Sequence, residues 1–291
     1  FIARNRNLAA INAQGFKLIL EDGSEELAPS VRAVQHMSDA GPQDVVLLTV
    51  KAHQVVDLLP DLRQLFGPQT MVVTMINGIP WWYFNRLGGA HEGRRLDSVD
   101  PGGRIAAHIE PERLIGSVVY PAAALVEPGV VRLIEGNRFT LGELNGERTE
   151  RIDALSQALM RAGFKAPVSK DIRSELWIKL WGNLSFNPIS ALTHATLEDI
   201  CRFPATRALA AAMMTEACTV AESLGVRFKT SMLQDVEAGR ALELEALVGA
   251  VVELGRITGI PTPSIDAIYA ATQLLGHTLA AQRGRLAIQP S

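Results

Sequence analysis

Two uninterrupted apolar stretches, residues 44–50 (Asp-Val-Val-Leu-Leu-Thr-Val) and 71–76 (Met-Val-Val-Thr-Met-Ile), constrain this chain more than any other feature. Strands buried on both faces read as continuous hydrophobic runs rather than as alternation. Between them, residues 54–66 read as a helix closed by Gly67-Pro68. Strand, helix and strand in about 35 residues make a parallel βαβ unit, and its crossover is right-handed. The expectation is therefore a parallel sheet covered by helices. Ligands of such sheets bind beyond the carboxyl ends of the strands. Lys51 and Asn77 each stand one residue past such an end. Lys51 suits a phosphate or carboxylate as a point charge, or is a solvated loop lysine. Asn77-Gly78 brings backbone close to a ligand, or is an ordinary turn.

The remainder of the first half is consistent with added β structure. Residues 7–15 read as a short helix stopped by glycine, 17–20 as a strand before an Asp22-Gly23 turn, and 31–34 as another short strand. Residues 114–120, 130–134 and 138–144 are β-rich runs divided by Pro121, Pro128-Gly129 and Gly136-Asn137, expected as partly antiparallel strands at the sheet's edge. Residues 149–162 form an amphipathic helix pattern and 166–169 a final strand. From Glu175 the pattern is almost wholly helical: 175–187, 190–200, 204–224, 231–258 and 264–281. A boundary near residue 169 divides an α/β domain (1–169) from an all-α domain (170–291), as 291 residues suggest, because single cores seldom grow beyond about 250.

The chemistry-bearing stretch opens the helical half. In Glu175-Leu-Trp-Ile-Lys179-Leu-Trp-Gly-Asn183-Leu-Ser-Phe-Asn187-Pro188, leucines recur every four residues, and so do Lys179, Asn183 and Asn187. At 3.6 residues per turn these stack as a polar ladder on one face, facing either water or a ligand. Pro188 is expected to end or kink the helix. Downstream, Ser231-Met-Leu-Gln234 has the form of a capping box, and Glu243 falls on broadly the same side of that helix as Ser231. A lone carboxylate there also fits a surface charge.

Several classes of function are disfavoured. A net charge of −3 gives no electrostatic case for nucleic acid or an anionic membrane, and no apolar run approaches the ~20 residues that span a bilayer. Cys201 and Cys218 are too few for a disulfide framework, so a reducing cytoplasm is the simplest setting; Cys218, at helical spacing from Met214 and Ala221, is expected in the core. The six histidines lack metal-ligand spacing, and neither G-x-G-x-x-G nor a P-loop occurs.

Taken in order, Thr49-Val-Lys51-Ala-His-Gln54, Asn77-Gly78, the Glu175–Pro188 stretch and Ser231-Met-Leu-Gln-Asp235 with Glu243 resemble the ketopantoate reductase (2-dehydropantoate 2-reductase) family over essentially the whole chain. The resemblance implies a Rossmann-like NADP(H)-binding domain followed by a helical domain, and reduction of a small 2-keto acid. It implies Lys179 as general acid and Glu243 as its partner carboxylate. Asn183, Asn187, Ser231 and Asn77 would bind substrate; Arg4, Lys51 and Asn77 would lie on the cofactor, Arg4 at the 2′-phosphate. The alternatives are a relative acting on another 2-keto acid, or a non-catalytic nucleotide-binding or dimerising protein. A homodimer is compatible with apolar residues on more than one face of 231–258.

Three departures stand out. Phe228 replaces a polar substrate contact, and Arg240-Ala-Leu-Glu243-Leu-Glu245 replaces the usual Arg-x-Thr-Glu-Ile-Asp. The family's first strand, glycine-rich loop and first helix are missing, so the α/β domain lacks its first βα unit. That absence leaves unpaired strand edges and no pyrophosphate site, and the expectation is about 25 further residues upstream.

Overall fold

The structure is a computed structural model describing residues 1–226, 236, 241–242 and 244–281. The chain divides into two compact units, Phe1–Val226 and Arg227–Ser291. The expected change of pattern near residue 169 falls inside the first of these.

The first unit contains the parallel unit the sequence dictates. Strand β3 (Gln43–Leu48) runs parallel to β4 (Phe66–Thr74), and the crossover between them carries helix α3 (Val55–Leu62). β4 is parallel to β5 (Leu114–Val119), which pairs antiparallel with β8 (Phe139–Gly142), giving the order β3-β4-β5-β8. One face packs Val46, Val72, Leu114 and Val118 against Val55, Leu59 and Leu62 of α3 and against Trp82 and Ile172. The other packs Val73, Ile115 and Leu141 against Ile152 and Leu155 of α4 (Glu150–Arg161), whose first turn is capped by Thr149. Central strands are thus covered on both sides. β3 is not: it is an edge strand in this order and Leu47 is exposed, so the expected burial on both faces holds for β4 and not for β3.

The remaining β structure is a second sheet rather than an extension of the first. β1 (Phe16–Ile19), β2 (Glu25–Ala28), β6 (Ala122–Glu127) and β7 (Val130–Glu135) pair in the order β2-β1-β7-β6. Pro121 explains the switch: β5 ends one residue before Tyr120-Pro121, and Gly129 (φ 77°) turns the chain from β6 into β7. β6 was not expected, because its Ala-Ala-Ala core has little β propensity. The expected strands at 31–34 and 166–169 reduce to isolated bridges, Ile2 with Val34 and Leu141 with Val168. Helix α1 (Asn5–Gln14) ends at Gly15 (φ 78°), as the glycine predicts, and α2 (Met37–Ala40) is a single turn.

Helix α5 (Ile172–Thr193) then lies on the main sheet and continues through Pro188 to a left-handed His194 (φ 57°). Of the two outcomes expected at Pro188, an end or a kink, the helix does not end there. An interior proline costs roughly 3 kcal/mol of helix stability, and burial of Ile189 against Ile200 and Ala210 offsets it. Helices α6 (Leu197–Arg202) and α7 (Pro204–Ser223) come next; Cys218 on α7 is half-exposed, not a core residue. In the second unit a π-helical turn, Glu245–Gly249, leads into α8 (Ala250–Thr258), and then α9 (Pro263–Ala281). The Tyr269 hydroxyl donates to Glu245 Oε2 at 2.6 Å, beside Gly249, where a Cβ would lie 3.1 Å from the tyrosine ring. Among the described residues no helix is long and apolar enough to cross a membrane.

Candidate active site

The carboxyl end of β4 carries Asn77, and the turn after it fixes its position. Gly78 takes φ 90°, which L side chains rarely adopt. Beyond it the chain folds Trp81, Trp82, Tyr83 and Phe84 into the interior. Trp82 Nε1 donates to Thr74 Oγ1 at 3.0 Å, returning this turn to the last residue of β4.

Helix α5 is locked to the same turn. Trp177 Nε1 donates to the Tyr83 hydroxyl at 2.8 Å. Arg173, 8% exposed, donates to the carbonyls of Tyr83 (2.7 Å), Asn85 (2.7 Å) and Leu144 (2.5 Å). Beneath the first turn of α5 sit Gly116 and Gly142, partners across the β5–β8 pair. A Cβ on Gly116 would stand 2.9 Å from Ile172 Cγ1, and one on Gly142 2.6 Å from Ile172 Cβ. Only glycines allow the helix this close.

Two turns along α5, Lys179 reaches the ends of β4 and β5. Its ammonium donates to Asn77 Oδ1 at 2.7 Å and to the Val119 carbonyl. It lies over the Tyr120 ring, 5.9 Å from the centroid. Among the described residues no carboxylate stands within ion-pair distance of it. Burial therefore pushes the Lys179 pKa below the ordinary lysine range. A small pocket of about 10 Å³ is lined by Ile76, Asn77, Gly78, Ser117, Lys179 and Asn183, among others. An ammonium has three donors. With two engaged by neutral acceptors, the third is available to an oxygen entering this pocket.

Of the sequence candidates, Lys179, Asn183 and Asn77 are thus brought together. Asn187, two turns beyond Lys179, is exposed and does not line the pocket. Lys51 is exposed too, its backbone N–H donating to Gln54 Oε1 at 3.1 Å. Arg4 precedes α1 and borders a separate cavity of about 300 Å³ with Ile2, Gln35, His36, Met37 and Asp61. Ser231 and Glu243 lie outside the described residues. Two contributors were not anticipated. Ser117 Oγ is buried without a hydrogen-bond partner among the described residues, and the Tyr120 ring lies against the ammonium. Both stand at the carboxyl end of β5, where the rule that drew attention to Asn77 applies equally.

Residues 1–146 match the family described as ketopantoate reductase PanE/ApbA, and residues 171–230 and 226–275 match its C-terminal part. A 2-dehydropantoate 2-reductase from Mesorhizobium japonicum is 52% identical, over 97% of this chain and 90% of that relative. A crystal structure from Ralstonia solanacearum MolK2, provisionally named a ketopantoate reductase, is 37% identical with a TM-score of 0.72, covering 96% of this chain and 90% of that one. A dimeric ketopantoate reductase from Staphylococcus aureus shares the fold at 20% identity and a TM-score of 0.56, over 91% of this chain and 87% of that one.

Proposed function

Because the chain belongs to the ketopantoate reductase family, we propose as its function the NADPH-dependent reduction of 2-dehydropantoate (ketopantoate) to pantoate, an oxidoreductase step toward pantothenate and coenzyme A. The observation that carries the reading is Lys179: a half-buried ammonium, held by Asn77 Oδ1 and the Val119 carbonyl, at the carboxyl ends of two parallel strands.

Bound NADPH supplies the hydride for the keto carbon. As negative charge develops on the 2-keto oxygen, the third N–H of Lys179 stabilises it and delivers the proton, leaving a neutral amine and the 2-hydroxy acid. The lowered pKa suits this role, because an ammonium with partial desolvation is a stronger acid. Asn183 and Asn77 border the pocket and contact the substrate's polar groups; for Asn187 and Ser231 as substrate ligands and Glu243 as the partner carboxylate the support is the family resemblance alone. The residues present suit NADP(H) at one further place. Arg4 borders the 300 Å³ cavity just before α1, where a guanidinium near a helix N-terminus suits a phosphate. Arg4 is assigned to the 2′-phosphate, and Lys51 and Asn77 to the nicotinamide side. The working division is 1–169 for cofactor and 170–291 for substrate, in a cytoplasmic homodimer like the dimeric Staphylococcus aureus relative.

The test is the loss of NADPH absorbance with ketopantoate beside a panel of other branched 2-keto acids. Ketopantoate should give the highest kcat/KM. A higher value for another acid moves the substrate assignment. NADPH binding without turnover of any keto acid sinks the enzymatic reading.

A further inference from the structure

The Tyr120 ring carries two cations: Lys179 Nζ at 5.9 Å and the Arg138 guanidinium at 5.1 Å from its centroid. Its hydroxyl lies 3.5 Å from Glu175 Oε2, the same oxygen that Arg138 Nη2 approaches at 3.6 Å. Glu175 is one helical turn before Lys179 on α5, so ring, carboxylate and ammonium are adjacent on one face. The backbone supports the arrangement, since the Tyr120 N–H donates to the Arg138 carbonyl at 3.1 Å. This side chain is the first residue after β5, and the carbonyl one position earlier is itself an acceptor for Lys179.

A lysine that acts as a proton donor has a positioning problem. Its ammonium sits on a flexible four-carbon stem with about 2 kcal/mol of rotamer entropy, and two acceptors leave it free to swing about the line joining them. A rigid aromatic face on a third side removes that freedom and favours the charged form through the ring quadrupole. Arg138 and Glu175 in turn hold the ring, one over its face and one at its hydroxyl.

We propose that Tyr120 is a positioning residue for Lys179, its ring held by Glu175 and Arg138 so that the ammonium's third N–H stays directed into the pocket. The proposal rests on the reading of Lys179 as the general acid. It assigns to Tyr120 no contact with substrate, only an action through the lysine.

The test is steady-state kinetics with ketopantoate and NADPH on Tyr120→Leu, Tyr120→Phe, Glu175→Gln and Lys179→Ala, together with Tyr120→Leu in the Lys179→Ala background. Tyr120→Leu should lower kcat by about 3–30-fold with the KM for NADPH unchanged. Tyr120→Phe, which keeps the ring, should recover most of that loss. The effect of Tyr120→Leu should vanish when Lys179 is already alanine, which a merely structural role would not produce. Should Tyr120→Leu fold poorly, Glu175→Gln keeps the ring, weakens its anchor by removing the charge that pairs with Arg138, and should give a smaller loss, again dependent on Lys179. A kcat within about twofold of wild type in Tyr120→Leu, or an equal loss in the Lys179→Ala background, overturns the role of Tyr120 while leaving the lysine assignment intact. A fully active Lys179→Ala enzyme overturns the general-acid reading itself, and this one with it.

Discussion

Helix α5 carries two partly desolvated cations six residues apart, Arg173 buried and Lys179 half-buried, and their partners are alike. Arg173 is solvated by three backbone carbonyls and lies 5.7 Å from the centroid of Tyr83. Lys179 is solvated by a carbonyl and an amide oxygen and lies 5.9 Å from the centroid of Tyr120. In both cases burial pushes the pKa down. They differ in what the charge is free to do. A guanidinium stays protonated throughout the working pH range and presents a fixed fork, and the three carbonyls that Arg173 holds belong to backbone that shapes the site. An ammonium titrates, and Lys179 borders a pocket with one donor to spare. The same solvation chemistry makes a clamp at one end of the helix and a proton donor further along.

Breaking each half of this comparison should give different readouts. Lys179→Ala is expected to lower kcat by about 10²–10⁴ with Tm close to wild type, measured by turnover and thermal melting. Arg173→Met should do the reverse in kind, leaving three buried carbonyls without their donor and costing about 2–4 kcal/mol of stability. Denaturant titration checks it, and an unchanged midpoint would mean the clamp holds nothing. Gly142→Ala, which places a methyl against Ile172, should cost about 1–3 kcal/mol by overpacking, with a fall in kcat as α5 shifts. A pH series gives the smallest effect and the sharpest separation. The folded pKa of Lys179 lies below its unfolded value, so the unfolded chain binds more protons between the two. Across that window stability rises with pH, while kcat falls as the acid loses its proton. Lys179→Met should remove the stability slope and Arg173→Met should not.

Much of this was legible in the sequence. The apolar runs at 44–50 and 71–76 announced the parallel pair, although burial on both faces, the reason for reading them so, holds only for the second. The four-residue spacing of Lys179 and Asn183 placed both on one face, and both border the pocket. Less was legible where tertiary contacts override local preference. Pro188 read as an end or a kink, and the packing of Ile189 carries the helix past it. Asn187 shares the ladder's spacing, yet it is exposed and does not line the pocket. Arg173 gave no signal, because a charged residue in a first helical turn reads as surface until three carbonyls are seen around it. Tyr120 was hidden as an aromatic following a strand, a pattern that describes core residues equally well.

The glycine pair beneath Ile172 has a consequence for how the site can be retargeted. Lys179 is seven residues from that contact, about 10 Å along the helix axis, and its reach is set where α5 rests on the sheet. Side chains around the pocket rim are therefore separable from the proton donor. Exchanging any of them but Asn77, which itself holds the ammonium, leaves Lys179 in place, whereas one methyl group under the first turn, remote from any substrate, misaligns it for every substrate alike.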